Sequence, residues 1–289
     1  MVINLKIKVN SPGSATIINA IASGSGSAYG IDLGIDVSSK LISEGIKSSS
    51  DIGANTSLMD LSAQKVLEYY DVDCGIEIKT KTNLPLGSGL SSSSALSNGV
   101  VKACSKLISD EFDLNPLSNL EIINLAIDAS LEGNVTITGA FDDASASYFG
   151  GVTVTDNTNR QLLIKEEFSR RDVLIFLVDV ESETINSDVN KMKLISPLVD
   201  LAFEQALNRD YYLALNLNGL LYGSILGYDN NIAISALNAG ALASGLSGTG
   251  SAFSAIVDEE NIDDVKDSWS AFDGKIIETK VNNNGCIFL

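Results

Sequence analysis

Residues 84–95 read Leu-Pro-Leu-Gly-Ser-Gly-Leu-Ser-Ser-Ser-Ser-Ala, a glycine-rich turn followed by four consecutive serines. A turn of this kind that feeds a helix directs free backbone N–H groups and the positive end of the helix dipole at one point, which suits a phosphate. Serine hydroxyls there add hydrogen bonds to phosphate or a hard oxygen ligand for Mg²⁺. A second group is the adjacent pair Asp142 and Asp143, set in Thr138-Gly-Ala-Phe-Asp-Asp-Ala-Ser-Ala-Ser-Tyr-Phe-Gly-Gly151 among small and aromatic residues. Two carboxyls enclosed together push one pKa upward unless N–H groups or a cation offset them. Such a carboxylate can serve as a general base, whereas a helix start would make one of the two a cap. A third segment, Gly245-Leu-Ser-Gly-Thr-Gly-Ser-Ala-Phe253, places Gly245, Gly248, Thr249 and Gly250 together. It reads either as a cleft floor that backbone can approach closely or as a plain turn.

Several chemistries are excluded. The chain has no histidine, so no Ser-His-Asp or Cys-His nucleophile and no histidine base is available. No lysine lies between Lys81 and Lys102, and Gly87-Ser88-Gly89 lacks a third glycine, so neither a P-loop nor a dinucleotide fingerprint is present. Cys74, Cys104 and Cys286 are too scattered for a disulfide framework or a zinc site. The formal charge of −18 argues against nucleic acid and against an anionic membrane as partner, because both need a basic face. It also opposes an anionic substrate, so helix N-termini, Mg²⁺ and few cations must compensate locally; the arginines are Arg160, Arg170, Arg171 and Arg209. The longest apolar run, Val173–Val178, is strand length, far short of the roughly 20 residues of a membrane span. The first residues alternate like a strand and do not resemble a signal peptide, which predicts a cytoplasmic protein.

These segments need rigid neighbours. Ile76, Ile78 and Thr80 alternate with Glu77, Lys79 and Lys81, predicting a half-buried strand before the serine run. Ala95, Leu96, Val100, Ala103, Cys104, Leu107 and Ile108 recur at helical spacing after it, which disfavours a flexible Gly/Ser linker. Strands are predicted around a Gly/Ser/Ala-rich loop over residues 1–40, and a helix over 57–70. Asn115 as cap and Pro116 at the first position predict another helix, its buried face marked by Leu120, Ile123, Ala126, Ile127 and Leu131. A second unit is expected to begin near 160–171. It contains strands at 173–178, 252–257 and 275–280 and helices near 198–208, 211–226, 232–243 and 262–269. At 45% apolar residues the 289-residue chain can bury a sizeable core, and this mixture argues α+β layers and not a doubly wound sheet.

The serine run resembles the second motif of the GHMP kinases, Pro-x-Gly-x-Gly-Leu-Gly-Ser-Ser-Ala: Pro85, Gly87, Gly89, Leu90, Ser92 and Ser93 match, while Ser91 and Ser94 replace Gly and Ala. Residues 138–151 resemble the segment carrying the family's catalytic aspartate, and 245–253 its third motif. With Ser23-Gly-Ser-Gly-Ser-Ala-Tyr-Gly-Ile-Asp32, they are most similar to the archaeal-type shikimate kinases within that family. The resemblance implies a two-domain α+β architecture: residues 1–165 with a left-handed βαβ crossing, and 166–289 with a ferredoxin-like fold. It implies ATP and Mg²⁺ as cofactors and a small-molecule substrate, shikimate, with no oligomeric state assigned. ATP would be bound by Pro85, Leu86, Gly87, Ser88, Gly89, Leu90, Ser91, Ser92, Ser93, Ser94 and Ala95, and Mg²⁺ by Ser93 and Glu132. Asp142 would act as base with Asp143 in support. The substrate would meet Gly24, Gly26, Ser27, Tyr29 and Asp32, with Gly248 and Thr249. Alternatives are a homoserine or mevalonate kinase of the same family, or a non-catalytic sensor on that fold. One departure stands out: several GHMP kinases carry a lysine in the first motif, and Ser11-Pro-Gly-Ser-Ala-Thr-Ile-Ile-Asn19 has none.

Overall fold

The computed structural model describes residues 5–179 and 188–289. Two long strands, β1 (Lys6–Ile18) and β2 (Ser25–Ile42), form an antiparallel hairpin in register from Lys6 opposite Lys40 to Ile18 opposite Ser27. The register shifts at Pro12–Ser14 and Thr16–Ile18. Extra residues at such places bend a strand and re-aim its side chains. On the outer half of β2 lie β4 (Gly75–Thr82) and, beyond it and parallel to it, β3 (Ile46–Ser50). Helix α1 (Ser57–Tyr70) joins those two in a βαβ crossing. The inner half of β2, Ser25–Tyr29, pairs instead with β5 (Val152–Asp156), which forms a hairpin with β6 (Gln161–Glu166).

Helices α1, α2 (Ser92–Glu111), α3 (Asn119–Glu132) and α4 (Phe141–Phe149) pack together, with α2 and α4 laid on β1 and β2. Helix α2 is nearly all small or aliphatic on its buried side, so it can sit close to the sheet. Helix α3 starts later than Asn115-Pro116 predicts. Ser118 is its cap, in a capping box with Glu121, and the two reciprocal bonds outweigh the fixed φ of a proline as a start signal.

The second sheet runs β10 (Gly274–Lys280), β7 (Asp172–Val178), β9 (Ala252–Val257), β8 (Ala243–Leu246), all antiparallel. Between β7 and β8 lie α5 (Val189–Lys193), α6 (Ser196–Leu207), α7 (Tyr211–Leu226) and α8 (Asn231–Asn238); α9 (Ile262–Trp269) joins β9 to β10. This is a ferredoxin-like arrangement. Helix α8 stops at Asn238, short of the predicted 243, because Ala243–Leu246 pairs as an edge strand. Fully buried Trp269 donates to the Ile232 carbonyl at 2.8 Å, with its ring 5.4 Å from that of Phe176.

After β10 the chain returns to the first sheet, where β11 (Ile287–Phe288) pairs with β1. Helix α7 locks the two layers: Asn218 Oδ1 accepts from the Asn19 N–H at 3.1 Å, and the Tyr222 hydroxyl donates to the Asn19 carbonyl at 3.0 Å. Among the described residues, no helix is long and apolar enough to cross a membrane.

Candidate active site

The loop 84–91 leaves β4 and ends where α2 begins. Gly89 holds φ +82°, and a Cβ there would collide with the Ser247 carbonyl, so only glycine lets the loop meet the 247–250 turn. Hydrogen bonds fasten that contact: Ser247 Oγ donates to the Gly89 carbonyl at 2.8 Å, and the Ala252 N–H to the Ser88 carbonyl at 2.8 Å. From the other side the Gly248 N–H donates to Thr16 Oγ1 and Asn19 Nδ2 donates to the Gly248 carbonyl, both at 2.9 Å. No side chain caps α2. The N–H groups of its first turn, from Ser92 onward, are the orphan donors every helix start leaves, and here they open on a cleft of about 420 Å³.

Across that cleft stands the first turn of α4, which carries Asp142 and Asp143. Asn98 Nδ2 donates to the Ala144 carbonyl at 2.9 Å and Ser147 Oγ to the Pro12 carbonyl at 2.7 Å, tying α4 to α2 and β1. Asp142 is 4% exposed. Asn157 Nδ2 donates to its Oδ1 at 2.7 Å, and the Thr155 hydroxyl fixes that amide by donating to Asn157 Oδ1 at 2.7 Å. Gly26 leaves room for the carboxylate: a Cβ there would come within 2.6 Å of Asp142 Oδ2. Burial pushes the Asp142 carboxyl above its ordinary pKa, while Asn157 and the N–H groups of Asp143, Asp142 and Ala20 pull it back. Asp143 is pushed well above the usual carboxylate range by burial and by the charge of Asp142, with only the Ser91 hydroxyl opposing. Its Oδ1 is buried without a hydrogen-bond partner. Of the two, Asp142 is therefore the one equipped to keep a charge. Among the described residues lining the cleft there is no lysine or arginine.

A second hollow, about 460 Å³, lies on the other side of the α2 start. Its walls are mainly apolar, with Ile35, Ile52, Leu58, Met59, Leu86 and Leu96. Gly87, Ser92, Ser93 and Val135 border both hollows.

Residues 57–151 match the GHMP kinases N terminal domain and residues 202–275 the GHMP kinases C terminal domain. A shikimate kinase of Methanobrevibacter smithii is 56% identical over 99% of this chain and 100% of its own. This chain belongs to the archaeal-type shikimate kinases of the GHMP kinase family. The shikimate kinase of Methanothermobacter thermautotrophicus is 50% identical, over 97% of each chain. Among solved structures, homoserine kinase from Cytophaga hutchinsonii superposes with a TM-score of 0.76 at 19% identity, covering 100% of this chain and 99% of that one. Methanococcus jannaschii mevalonate kinase does so with a TM-score of 0.76 at 17% identity, over 96% and 98%. These two show the shared fold. As a member of a kinase family the chain uses ATP as phosphate donor and acts on a small molecule.

The structure brings together much of what the GHMP motifs imply. Gly87, Gly89, Ser91, Ser92, Ser93 and Ser94 line the cleft with Asp142, Asp143, Gly248 and Thr249. Pro85, Ser88, Leu90 and Ala95 shape the loop behind it, Leu90 and Ala95 in the core and Ser88 Oγ donating to the Pro85 carbonyl. Leu86 faces the apolar hollow.

Five expected residues stand elsewhere. Glu132 ends α3 with its carboxylate 2.6 Å from Lys65 Nζ and does not line the cleft. Ser27 and Tyr29 belong to β2, paired there with Ile18 and Ala15. Both are fully buried, and the Tyr29 ring packs 5.5 Å from that of Phe168. Asp32 is exposed and accepts from Asn282 Nδ2. Gly24 turns the chain beside Thr158. A strand alternates its side chains, so a run read as one binding loop is spread over two faces of a sheet. Thr16, Asn19, Ala20, Ile21 and Asn157 were missed. The first four belong to the 11–19 segment and its exit, which drew notice only for its missing lysine, and Asn157 carries no motif.

Proposed function

We propose that this enzyme transfers the γ-phosphoryl group of ATP to a hydroxyl of shikimate, giving shikimate 3-phosphate. The observation that carries the reading is the opposition, across one cleft, of an uncapped helix start and a buried carboxylate. In the step, the acceptor oxygen bonds to phosphorus, the bond from phosphorus to the departing ADP oxygen breaks, and the acceptor proton passes to Asp142. Phosphoryl transfer asks mainly for alignment and charge neutralisation. The α2 N–H groups and the serines at 92–94 supply hydrogen bonds to the phosphates. The apolar hollow beside Ser92 and Ser93 is of the right character for the nucleoside, leaving the γ-phosphate at their shared border.

Mg²⁺ fits this donor set. The cleft lining offers hydroxyl oxygens and an unpartnered carboxylate oxygen on Asp143 but no cationic side chain. Hard oxygen donors, few in number and supplemented by phosphate and water, are what this ion takes. Ser93 would hold it, and it would neutralise charge on the phosphates. Asp143 supports from the loop side. Substrate would lie between Asp142, the Asn19–Ile21 backbone and Gly248-Thr249. We place the enzyme in the cytoplasm; its charge of −18 gives nucleic acid and anionic membranes no basic face.

The test is ADP release by purified protein with shikimate, homoserine, mevalonate or galactose as acceptor. Shikimate should exceed the others by a thousandfold or so. A site that pairs a carboxylate and ring hydroxyls leaves two or three polar groups unpaired with a poorer mimic, at about 1–3 kcal/mol each. Faster turnover of homoserine or mevalonate would overturn the substrate and leave the fold reading intact.

A further inference from the structure

Ser91 departs from what a serine does before a helix. At that position serine normally takes extended backbone angles, and its Oγ accepts an N–H of the first turn. Ser91 instead sits at φ 59°, ψ 32°, in the left-handed region, and makes no capping bond. That region penalises a residue with a Cβ and suits glycine, and non-glycine outliers of this kind collect at functional sites. The hydroxyl is where the compensation lies. Ser91 Oγ is 2.6 Å from Ser14 Oγ in a buried pair, 3.3 Å from the Ser14 carbonyl, and faces the Asp143 carboxyl. Ser14 Oγ also lies 3.4 Å from the Asp143 carbonyl. Two hydroxyls thus join β1, the phosphate loop and α4 at one point. The Ser91 hydroxyl has one proton, which the Ser14 carbonyl at 3.3 Å and the Asp143 carboxyl both attract, while either hydroxyl can donate across the 2.6 Å pair.

We propose that Ser91 is a positioning residue: with Ser14 it forms a hydroxyl bridge that fixes Asp143 against the phosphate loop, so that the first turns of α2 and α4 keep one spacing. Resting on the phosphoryl-transfer reading above, it gives the lysine-free 11–19 segment a direct connection to the acidic pair. It also separates what the backbone favours from what the reaction needs.

Ser91→Gly tests it, because glycine relieves the left-handed backbone while deleting the bridge. Its melting temperature should equal or exceed that of wild type and its KM for ATP should stay within about twofold, while kcat falls roughly 10–100-fold, the rate equivalent of leaving one buried polar group without its partner. Ser14→Ala should lower kcat in the same sense. The double variant should be about as slow as the slower single, since the two hydroxyls act as a unit. Wild-type kcat in Ser91→Gly would overturn the proposal. So would a lower melting temperature with a raised KM for ATP, which marks a merely structural serine, or singles whose effects multiply. All variants are compared with wild type on its fastest acceptor. A wrong acceptor assignment therefore shows in wild type alone, and a wrong bridge shows only in the variant-to-wild-type ratio.

Discussion

The two hollows that flank the start of α2 differ in polarity and in charge. One holds both acids and many hydroxyls beside apolar residues such as Ile21 and Ile137; the other is mainly apolar, walled by Ile35, Ile52, Leu58, Met59, Leu86 and Leu96. Ser92 and Ser93 belong to both, so in the proposed reading one set of helix N–H groups would serve an acceptor side and a nucleoside side. The contrast teaches where each kind of specificity resides. Changes on the acid side should act on rate, and changes on the apolar side should act on ATP affinity with little effect on rate.

Asp142→Asn is the sharpest way to break that division. It should lower kcat about 10²–10⁴-fold, the usual worth of a general base, with KM for ATP nearly unmoved. Turnover at the wild-type rate would shift the base to Asp143. Ser93→Ala comes next: it removes an oxygen from a site with few protein ligands, so half-saturation by Mg²⁺ at fixed ATP should rise by about tenfold. An unmoved Mg²⁺ response would remove Ser93 from the ion. Leu86→Ala probes the other hollow. Leu86 is half exposed and covers it, so KM for ATP should rise about three- to tenfold, the worth of partly burying a leucine, with kcat intact. A fall in kcat at saturating ATP would mean that the hollows are not separable.

The acid pair also sets a stability effect. The folded pKa of Asp143 lies above its unfolded value, so protonation favours the fold. The contribution of Asp143 to stability is then greatest in acid and falls as pH climbs from about 4, the unfolded carboxyl value, to the raised folded value. Asp143→Asn carries no such cost. Its melting temperature should exceed wild type by a few degrees at neutral pH, a difference that vanishes below about pH 4. A variant less stable than wild type at neutral pH would mean that hydrogen bonds to the carboxylate outweigh its burial.

How much of this was legible in the sequence depended on the kind of signal. Helix α1 falls on the 57–70 spacing, and β4, β7, β9 and α9 fall within a residue of their expected bounds, α1, β4 and α9 through one buried face and β7 and β9 as short apolar runs in the middle of their sheet. Strand β2 was obscured by its serines and glycines, and that obscurity is what made Ser27, Tyr29 and Asp32 look like one loop. The start of α3 was in view, since Ser118-x-x-Glu121 is a capping-box pattern, but Asn115-Pro116 spoke first. The glycine-serine turn and the helix start after it were legible because both are local signals. Asn157, the partner of Asp142, was not, because a lone amide in a hairpin becomes meaningful only when β5 brings it under α4.

Glu132 gives the smallest expected effect and the finest test of the contrast between the hollows. The family resemblance placed it on the metal, yet its carboxylate pairs with Lys65 at 2.6 Å on a side chain 53% exposed. Exposed ion pairs contribute little to stability, so Glu132→Gln should leave the melting temperature within a degree or two. If the Mg²⁺ site is built on Ser93 and phosphate oxygens, Glu132→Gln should also leave half-saturation by Mg²⁺ unchanged, in contrast to Ser93→Ala. Lys65→Ala frees the carboxylate without removing it and should be equally silent. Should Glu132→Gln weaken the Mg²⁺ response while Lys65→Ala strengthens it, the carboxylate leaves its lysine for the ion, and Lys65 competes for a metal ligand.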